Sequence, residues 1–310
     1  SPEDLDSIYN RGTALLKLGK TETALECFEK VLSLNPDYPD LLYSLAAAQA
    51  KLGKQEEALE TFEKLAAKNP EDLEIQCRKG KFAMEIGKYE TALKAFDQAL
   101  SENPESREAW YRKGLVLIKL ERFEEAIRAF DEVIVKNLNY KEIGNSDYEE
   151  LKNLDRDDID NPACDERKSP DYEDENPDYE DENPDYEDAR TYKGFAQMQL
   201  GKYLPSLETF ESALEEKPDS EILWYYRGLS LYKINMLEEA ACAFESAIRL
   251  NPEMQEALEY RALCLFETEQ YKAALEALEA VLERNPENLS ALHKKAICFL
   301  QLRKYESGAK

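Results

Sequence analysis

The chain has 310 residues, with 66 Asp or Glu against 40 Lys or Arg, a formal charge of −26. A surface of that sign repels nucleic acid and anionic lipid, so neither is an expected partner; basic or mixed-charge protein segments are. No run of eighteen apolar residues is present, which excludes a membrane-spanning helix at the level of sequence.

The opening, Ser1-Pro2-Glu3-Asp4, does not read as a basic and then apolar leader. Beyond it, self-similarity dominates. Pro36, Pro70 and Pro104 recur every 34 residues, and Pro218, Pro252 and Pro286 do so again. Each follows Asn, except Pro218, which follows Lys217. Setting the proline at place 32 of a 34-residue unit starts repeats at Leu5, Pro39, Leu73, Arg107, Glu187, Glu221, Gln255 and Leu289. Place 8 is then small throughout: Gly12, Ala46, Gly80, Gly114, Gly194, Gly228, Ala262, Ala296. Place 20 is small as well, with Ala24, Ala58, Ala92, Ala126, Ser206, Ala240 and Ala274. Place 24 carries Phe28, Phe62, Phe96, Phe130, Phe210, Phe244 and Leu278.

Small residues at places 8 and 20 let two antiparallel helices approach closely, and the aromatic fills the wedge towards the next helix. Its burial contributes roughly 1.5–3 kcal/mol per repeat. Gly19, Gly53, Gly87 and Gly201 fall between the two helices, where the chain reverses. The Asn-Pro step ends the second helix, because proline cannot continue it.

This pattern of small, small, aromatic and proline at fixed places resembles the signature of the tetratricopeptide family. The resemblance implies an all-α fold, a right-handed solenoid of helix-turn-helix units that stack because each leaves an apolar face exposed. Four repeats are predicted over 5–38, 39–72, 73–106 and 107–140, the ordered part of residues 1–140. Three more follow over 187–220, 221–254 and 255–288, and a single terminal helix over 289–302 completes residues 187–310. Ser1-Pro2 stands 34 residues before Pro36, and Lys310 comes soon after a further second helix should begin. The expectation is an excised part of a longer protein.

Residues 141–186 break the register. They hold 19 acids and 5 bases, with only four Leu, Ile, Val or Phe, a composition that cannot bury enough surface to order itself. Ser146-Asp147-Tyr148-Glu149 is a capping-box pattern that opens one short helix. SPDYEDE, NPDYEDE and NPDYEDA then run in tandem from Ser169 to Ala189, like a duplicated inter-repeat junction. Asp155 to Asp160 is not a calcium loop, since it has Ile159 at the fifth place and lacks the required glycine. A solvated acidic loop is expected, with weak and salt-sensitive docking, in cis or between two copies, as its furthest reach.

Five of the six cysteines, Cys27, Cys77, Cys242, Cys264 and Cys298, sit singly in helical patterns and read as reduced core residues, which fits a cytoplasmic setting. There is one histidine, His293, and no phosphate-cradling glycine loop, nucleophile elbow or metal-spaced cluster. The chain is therefore expected to be a binding scaffold without cofactor or metal, not an enzyme. The alternative is the substrate-recruiting or regulatory arm of a larger enzyme, with the insertion as an autoinhibitory or dimer contact.

In the family it resembles, places 2, 5, 9, 12 and 13 face a concave groove. Place 5 carries Tyr9, Tyr43, Tyr111 and Tyr225, rigid amphipathic rings suited to recognising a peptide. Arg78, Lys81, Arg112 and Lys119 are the polar anchors expected in repeats three and four. Chaperone-binding members use a carboxylate clamp, for which the corresponding residues here are Tyr43, Ala47, Arg78, Glu108 and Arg112. Only Arg112 fits and Glu108 reverses the charge, so an Hsp70- or Hsp90-type C-terminus is not an expected partner. Place 7 is basic in seven repeats, which reads as long stems lying along a neighbouring helix.

Overall fold

The fold is that of a computed structural model describing residues 4–38, 40–136 and 188–308. All regular structure among them is helical. The helices are α1 (Leu5–Lys17), α2 (Thr21–Leu34), α3 (Leu41–Lys51), α4 (Gln55–Lys68), α5 (Leu73–Glu85), α6 (Tyr89–Glu102), α7 (Arg107–Lys119) and α8 (123–136). The remainder are α9 (Ala189–Gln199), α10 (Tyr203–Glu216), α11 (Glu221–Lys233), α12 (Leu237–Leu250), α13 (Gln255–Glu267), α14 (Tyr271–Arg284) and α15 (Leu289–Gly308). The expectations attached to residues 141–186, a short helix and a docking acidic loop, fall outside the described residues.

Two compact units form, one on Ser1–Glu121 and the other on Glu187–Lys310 with Arg122–Asp131. Within each, odd-numbered helices pair with the even-numbered helix that follows, and that helix packs on the next odd one. This is the all-α repeat architecture implied by the periodic prolines.

One turn is reused throughout. Place 15 takes a left-handed conformation, as at Gly19 (φ 72°) and Gly87 (φ 75°), and the next amide donates back across six residues, Lys20 N to Leu15 O at 2.9 Å. A Cβ on these glycines would meet nothing within 4 Å, so the backbone, not space, selects glycine there. At the other end of the unit, the Asn before proline turns the chain with its side chain: Asn103 Oδ1 accepts from Glu105 N at 3.0 Å, and Asn251 Oδ1 from Glu253 N.

The core follows places 8, 20 and 24. Phe28, Phe96, Phe130, Phe210 and Phe244 are fully buried. A Cβ added at Gly80 would lie 2.6 Å from Phe96 Cζ, and one at Gly228 2.7 Å from Phe244 Cε1. The small residue at place 8 thus seats the aromatic of its own repeat. Where place 8 is alanine, the partner yields: Phe62, in the cluster with Ala46, keeps 6% of its surface exposed, and Ala262 is matched by Leu278.

α15 departs from expectation. The sequence predicts a helix ending at Leu302, yet the helix runs unbroken to Gly308. No turn forms at Arg303, the place-15 position of this repeat, although Glu121 and Glu269 turn at the same place.

Candidate functional site

In the first unit, residues of α1, α3 and α5 line an open cleft of about 610 Å³. α1 contributes Tyr9, Thr13, Leu16 and Lys17, while Asp40, Tyr43, Ser44, Ala47 and Lys51 come from α3 and its N-cap. Leu65 lines it from α4, Asn69 and Asp72 from between α4 and α5, and Glu74, Ile75 and Arg78 from α5. Spacing explains the gathering: places 5, 9 and 13 are one helical turn apart and share a face.

The tyrosines at place 5 serve two sides. Their rings pack on the aromatic of the same repeat, with centroids 5.8 Å apart for Tyr9 and Phe28 and 6.4 Å for Tyr43 and Phe62. Their hydroxyls reach place 6 of the next repeat. Tyr9 Oη lies 2.9 Å from Ser44 Oγ, and the Arg78 guanidinium donates to Tyr43 Oη while its Cζ stands 4.5 Å from the Tyr43 ring centroid. Burial raises the Tyr9 phenol above its ordinary value, with the Ser44 hydrogen bond partly offsetting and Asp40 adding to the rise. It stays neutral and can donate or accept.

Arg78 is already engaged, since its guanidinium also donates to Glu74 Oε1. Further along, Lys81 and Arg112 converge on one carboxylate. Lys81 Nζ lies 2.7 Å and Arg112 Nε 2.9 Å from Glu108 Oε1. Burial pushes this carboxyl up, but the hydrogen bonds and charges of Lys81 and Arg112 outweigh it and hold Glu108 below the usual range. Burial, reinforced by Glu108, pushes the neighbouring Cys77 thiol up to about 12, leaving it protonated.

The remaining expected residues are dispersed. Tyr111, read as a contact ring, is buried at 6% exposure: its apolar area is worth more in the core than at a surface. Lys119 is exposed at the end of α7. Tyr225 belongs to the second unit, where it packs at 5.9 Å from Phe244 and 6.3 Å from Tyr260. Burial, with Tyr260 and Glu256 nearby, takes its phenol to about 12. Sequence reasoning passed over Ser44, Asn69 and Asp72. For Ser44 the available signal was place 6, the station that the hydroxyls of Tyr9 and Tyr43 reach.

Among the described residues no cluster of three or more His, Cys, Asp or Glu is arranged to hold a metal. None of the described helices is long and apolar enough to cross a membrane.

A family model of the tetratricopeptide repeat matches residues 9–72, 77–140 and 193–246, more than half of the chain. The chain belongs to the tetratricopeptide repeat family. A model of anaphase-promoting complex, cyclosome, subunit 3 also matches residues 235–310 of this tetratricopeptide repeat chain. No curated protein matches it at the level of sequence. Among solved structures it is similar to the C-terminal part of a TPR repeat-containing protein from Cytophaga hutchinsonii, at 17% identity, TM-score 0.65, covering 92% of this chain and 98% of that one. It is similar to YrrB, a TPR protein with an unusual peptide-binding site, at 19% identity and TM-score 0.54, over 77% of this chain and 99% of that one. A tetratricopeptide repeat protein from Parabacteroides merdae aligns at 17% identity and TM-score 0.54, over 95% and 98%. At these identities the likeness concerns the fold.

Proposed function

We propose that the chain is a non-catalytic scaffold that holds a protein or peptide segment in the cleft lined by Tyr9, Tyr43 and Arg78. The observation that carries this reading is the convergence of two aromatic rings and groups of both charges, Asp40, Asp72 and Glu74 with Lys17, Lys51 and Arg78, on one open cleft. Rigid rings supply contact area at little entropic cost, and mixed polar groups can meet both the donors and the acceptors of an extended backbone. YrrB, of the same fold, is a peptide-binding protein by its description. Membership of the tetratricopeptide repeat family points the same way. A reducing compartment such as the cytoplasm suits its free cysteines, of which Cys77 and Cys264 carry thiols raised to about 12 by burial.

The test is selection of peptides on the wild-type chain, followed by titration against Thr13→Arg, which fills the cleft, and Arg78→Ala. Both should weaken binding by about tenfold or more, the loss of one well-placed contact. Lys119→Ala, away from the cleft, should leave it unchanged. Selected peptides that bind Thr13→Arg as tightly as wild type would place the site elsewhere.

A further inference from the structure

The charges that line the cleft are sorted to opposite ends. Tyr9 meets Ser44 and Tyr43 meets Arg78, place 5 against place 6 at both steps. The helices α1, α3 and α5 therefore run side by side in one direction. Asp40 and Asp72 are the N-cap residues of α3 and α5, and Glu74 lies in the first turn of α5. Lys17 and Lys51 are the last residues of α1 and α3. All five line the cleft. It thus has an acidic rim at the helix N-termini and a basic rim at the C-termini. The step from Asp40 to Lys51 spans roughly 16 Å at about 1.5 Å per helical residue.

Among the groups lining the cleft, each rim keeps its sign. At the acidic rim Arg78 pairs with Glu74, which leaves the charges of Asp40 and Asp72. At the basic rim stand Lys17 and Lys51, with no lining carboxylate beside them. The helix dipoles oppose both rims, but a helix end carries only about half a charge. Two full charges therefore outweigh the roughly one opposing charge that two helix ends supply. The basic rim stops with the cleft, because place 13 of the third repeat is Glu85.

We propose that the partner segment held in this cleft is bipolar, with basic residues over Asp40 and Asp72 and acidic residues over Lys17 and Lys51. The inference rests on the cleft reading above and names the chemistry of its ligand. An extended chain rises about 3.3 Å per residue, so five steps cover the distance between the rims. A segment of acids alone is repelled at one rim, and a segment of bases alone at the other. Exposed ion pairs are individually weak, so the rims decide which segment is accepted more than how tightly it is held.

The probes are three fluorescent, end-capped peptides that share the interior Leu-Asn-Asn-Leu. One has Lys-Lys before it and Glu-Glu after it, one has Lys-Lys on both sides, and one has Glu-Glu on both sides. In low salt, wild type should bind the mixed peptide about tenfold more tightly than either uniform one. The preference should shrink at about 1 M salt, where the screening length is about 3 Å. The basic peptide is the decisive rival, because a chain of net charge −26 attracts it most strongly at long range. Lys17→Glu combined with Lys51→Glu makes both rims acidic and should pass the preference to the basic peptide. Lys17→Gln combined with Lys51→Gln should erase the preference of mixed over basic. Both lysines are exposed, so the melting curves of these variants should stay close to that of wild type. Thr13→Arg should block the mixed peptide. Absence of saturable binding of the mixed peptide to wild type overturns the proposal. So does equal binding of the mixed and basic peptides, or a preference that the lysine variants leave unchanged. The cleft reading survives those results as long as Thr13→Arg still blocks the peptides selected on wild type. If Thr13→Arg blocks none of them, the cleft reading falls and the sorted rims fall with it.

Discussion

Lys193 Nζ stands 2.6 Å from Asp131 Oδ1, although 62 residues separate the two in the chain. Lys113 and Asp97 make the equivalent pair at 2.7 Å across 16 residues, as do Arg227 and Glu211 at 3.0 Å and Lys295 and Glu279 at 3.0 Å. The excess of 46 residues is the length of the insertion, 141–186. Every pair joins place 7 of a first helix to place 25 of the second helix before it. Phe130 stacks on Tyr192 at 5.9 Å in the same way that Phe210 stacks on Tyr226 at 5.6 Å and Phe244 on Tyr260 at 5.4 Å. The repeat register therefore resumes across the insertion. Exposed ion pairs contribute about 0–1 kcal/mol each, against roughly 1.5–3 kcal/mol for a buried ring, so the rings set the register and the pairs trim it.

Deleting 141–186 joins Tyr140, place 34, directly to Glu187, place 1. The deletion should leave the melting temperature within about 3 °C of wild type, because loop closure changes slowly with length and the packed contacts persist. Calorimetry showing a loss of about 10 °C or more would assign the insertion a part in holding the fold. The swap Asp131→Lys with Lys193→Asp should recover most of the stability lost by either change alone.

Gly80 and Phe96 offer a sharper test of packing. Gly80→Ala brings a methyl against the ring at a distance that forces movement and should cost about 1–3 kcal/mol. Phe96→Ala should cost about 3–5 kcal/mol by leaving a cavity. Gly80→Ala combined with Phe96→Leu reproduces the Ala262 and Leu278 pairing of the seventh repeat, and should be more stable than Phe96→Ala. Urea titration of the four chains decides it. If Gly80→Ala melts as wild type, place 8 does not seat the ring.

The repeat was legible because its signals are local and redundant: a proline stops one helix, and a small residue and an aromatic recur at fixed spacing in nearly every unit. The acids of place 25 were equally periodic, Glu29, Glu63, Asp97, Asp131, Glu211, Glu245 and Glu279, yet place 7 alone does not reveal them as partners. That pairing depends on how adjacent repeats rotate, which no single unit encodes. The cleft was legible in part. Tyr9, Tyr43 and Arg78 meet there, but the spacing of Tyr111 is the same as theirs, and only packing separates a buried ring from a presented one. The convergence of Lys81 and Arg112 on Glu108 was missed for a similar reason, since Lys81 comes from the neighbouring repeat.

Glu269 is a strained residue at place 15, which glycine holds in four repeats. It adopts φ 59°, as Glu121 (57°) and Asn235 (63°) do at the same place. A left-handed residue with a Cβ costs about 1–2 kcal/mol, part of which glycine returns as entropy of the unfolded chain. Glu269→Gly should therefore stabilise the second unit by about 0.5–1 kcal/mol, and Asn235→Gly by less, because Asn tolerates this region. Gly87→Ala should have the opposite sign. Chemical denaturation of the three variants measures it, and a loss of stability in Glu269→Gly would show that the carboxylate is needed there for another reason.

Glu108 makes acid stability a readout of the cation pair it holds. Its carboxyl is depressed in the folded chain, so its contribution is complete above the unfolded value, about 4.3, and is lost as the pH falls through the folded value. Glu108→Gln removes that contribution and leaves Lys81 and Arg112 facing an uncharged amide. At pH 7 it should cost about 1–2 kcal/mol, and its stability should fall less steeply than that of wild type between about pH 5 and pH 3. The two stability curves converge in acid. Glu85 supplies the opposite sign in the same neighbourhood, because burial raises its carboxyl more than Arg112 and Lys81 lower it. Its ionised form is disfavoured by folding, so Glu85→Gln should stabilise the chain at pH 7 and lose that advantage in acid. Cys77, pushed up to about 12, does not titrate in this window. Denaturant titrations of the three chains from pH 3 to 7 separate the effects. Parallel curves for Glu108→Gln and wild type across that range would mean that the carboxylate near Lys81 and Arg112 carries no net stabilising charge.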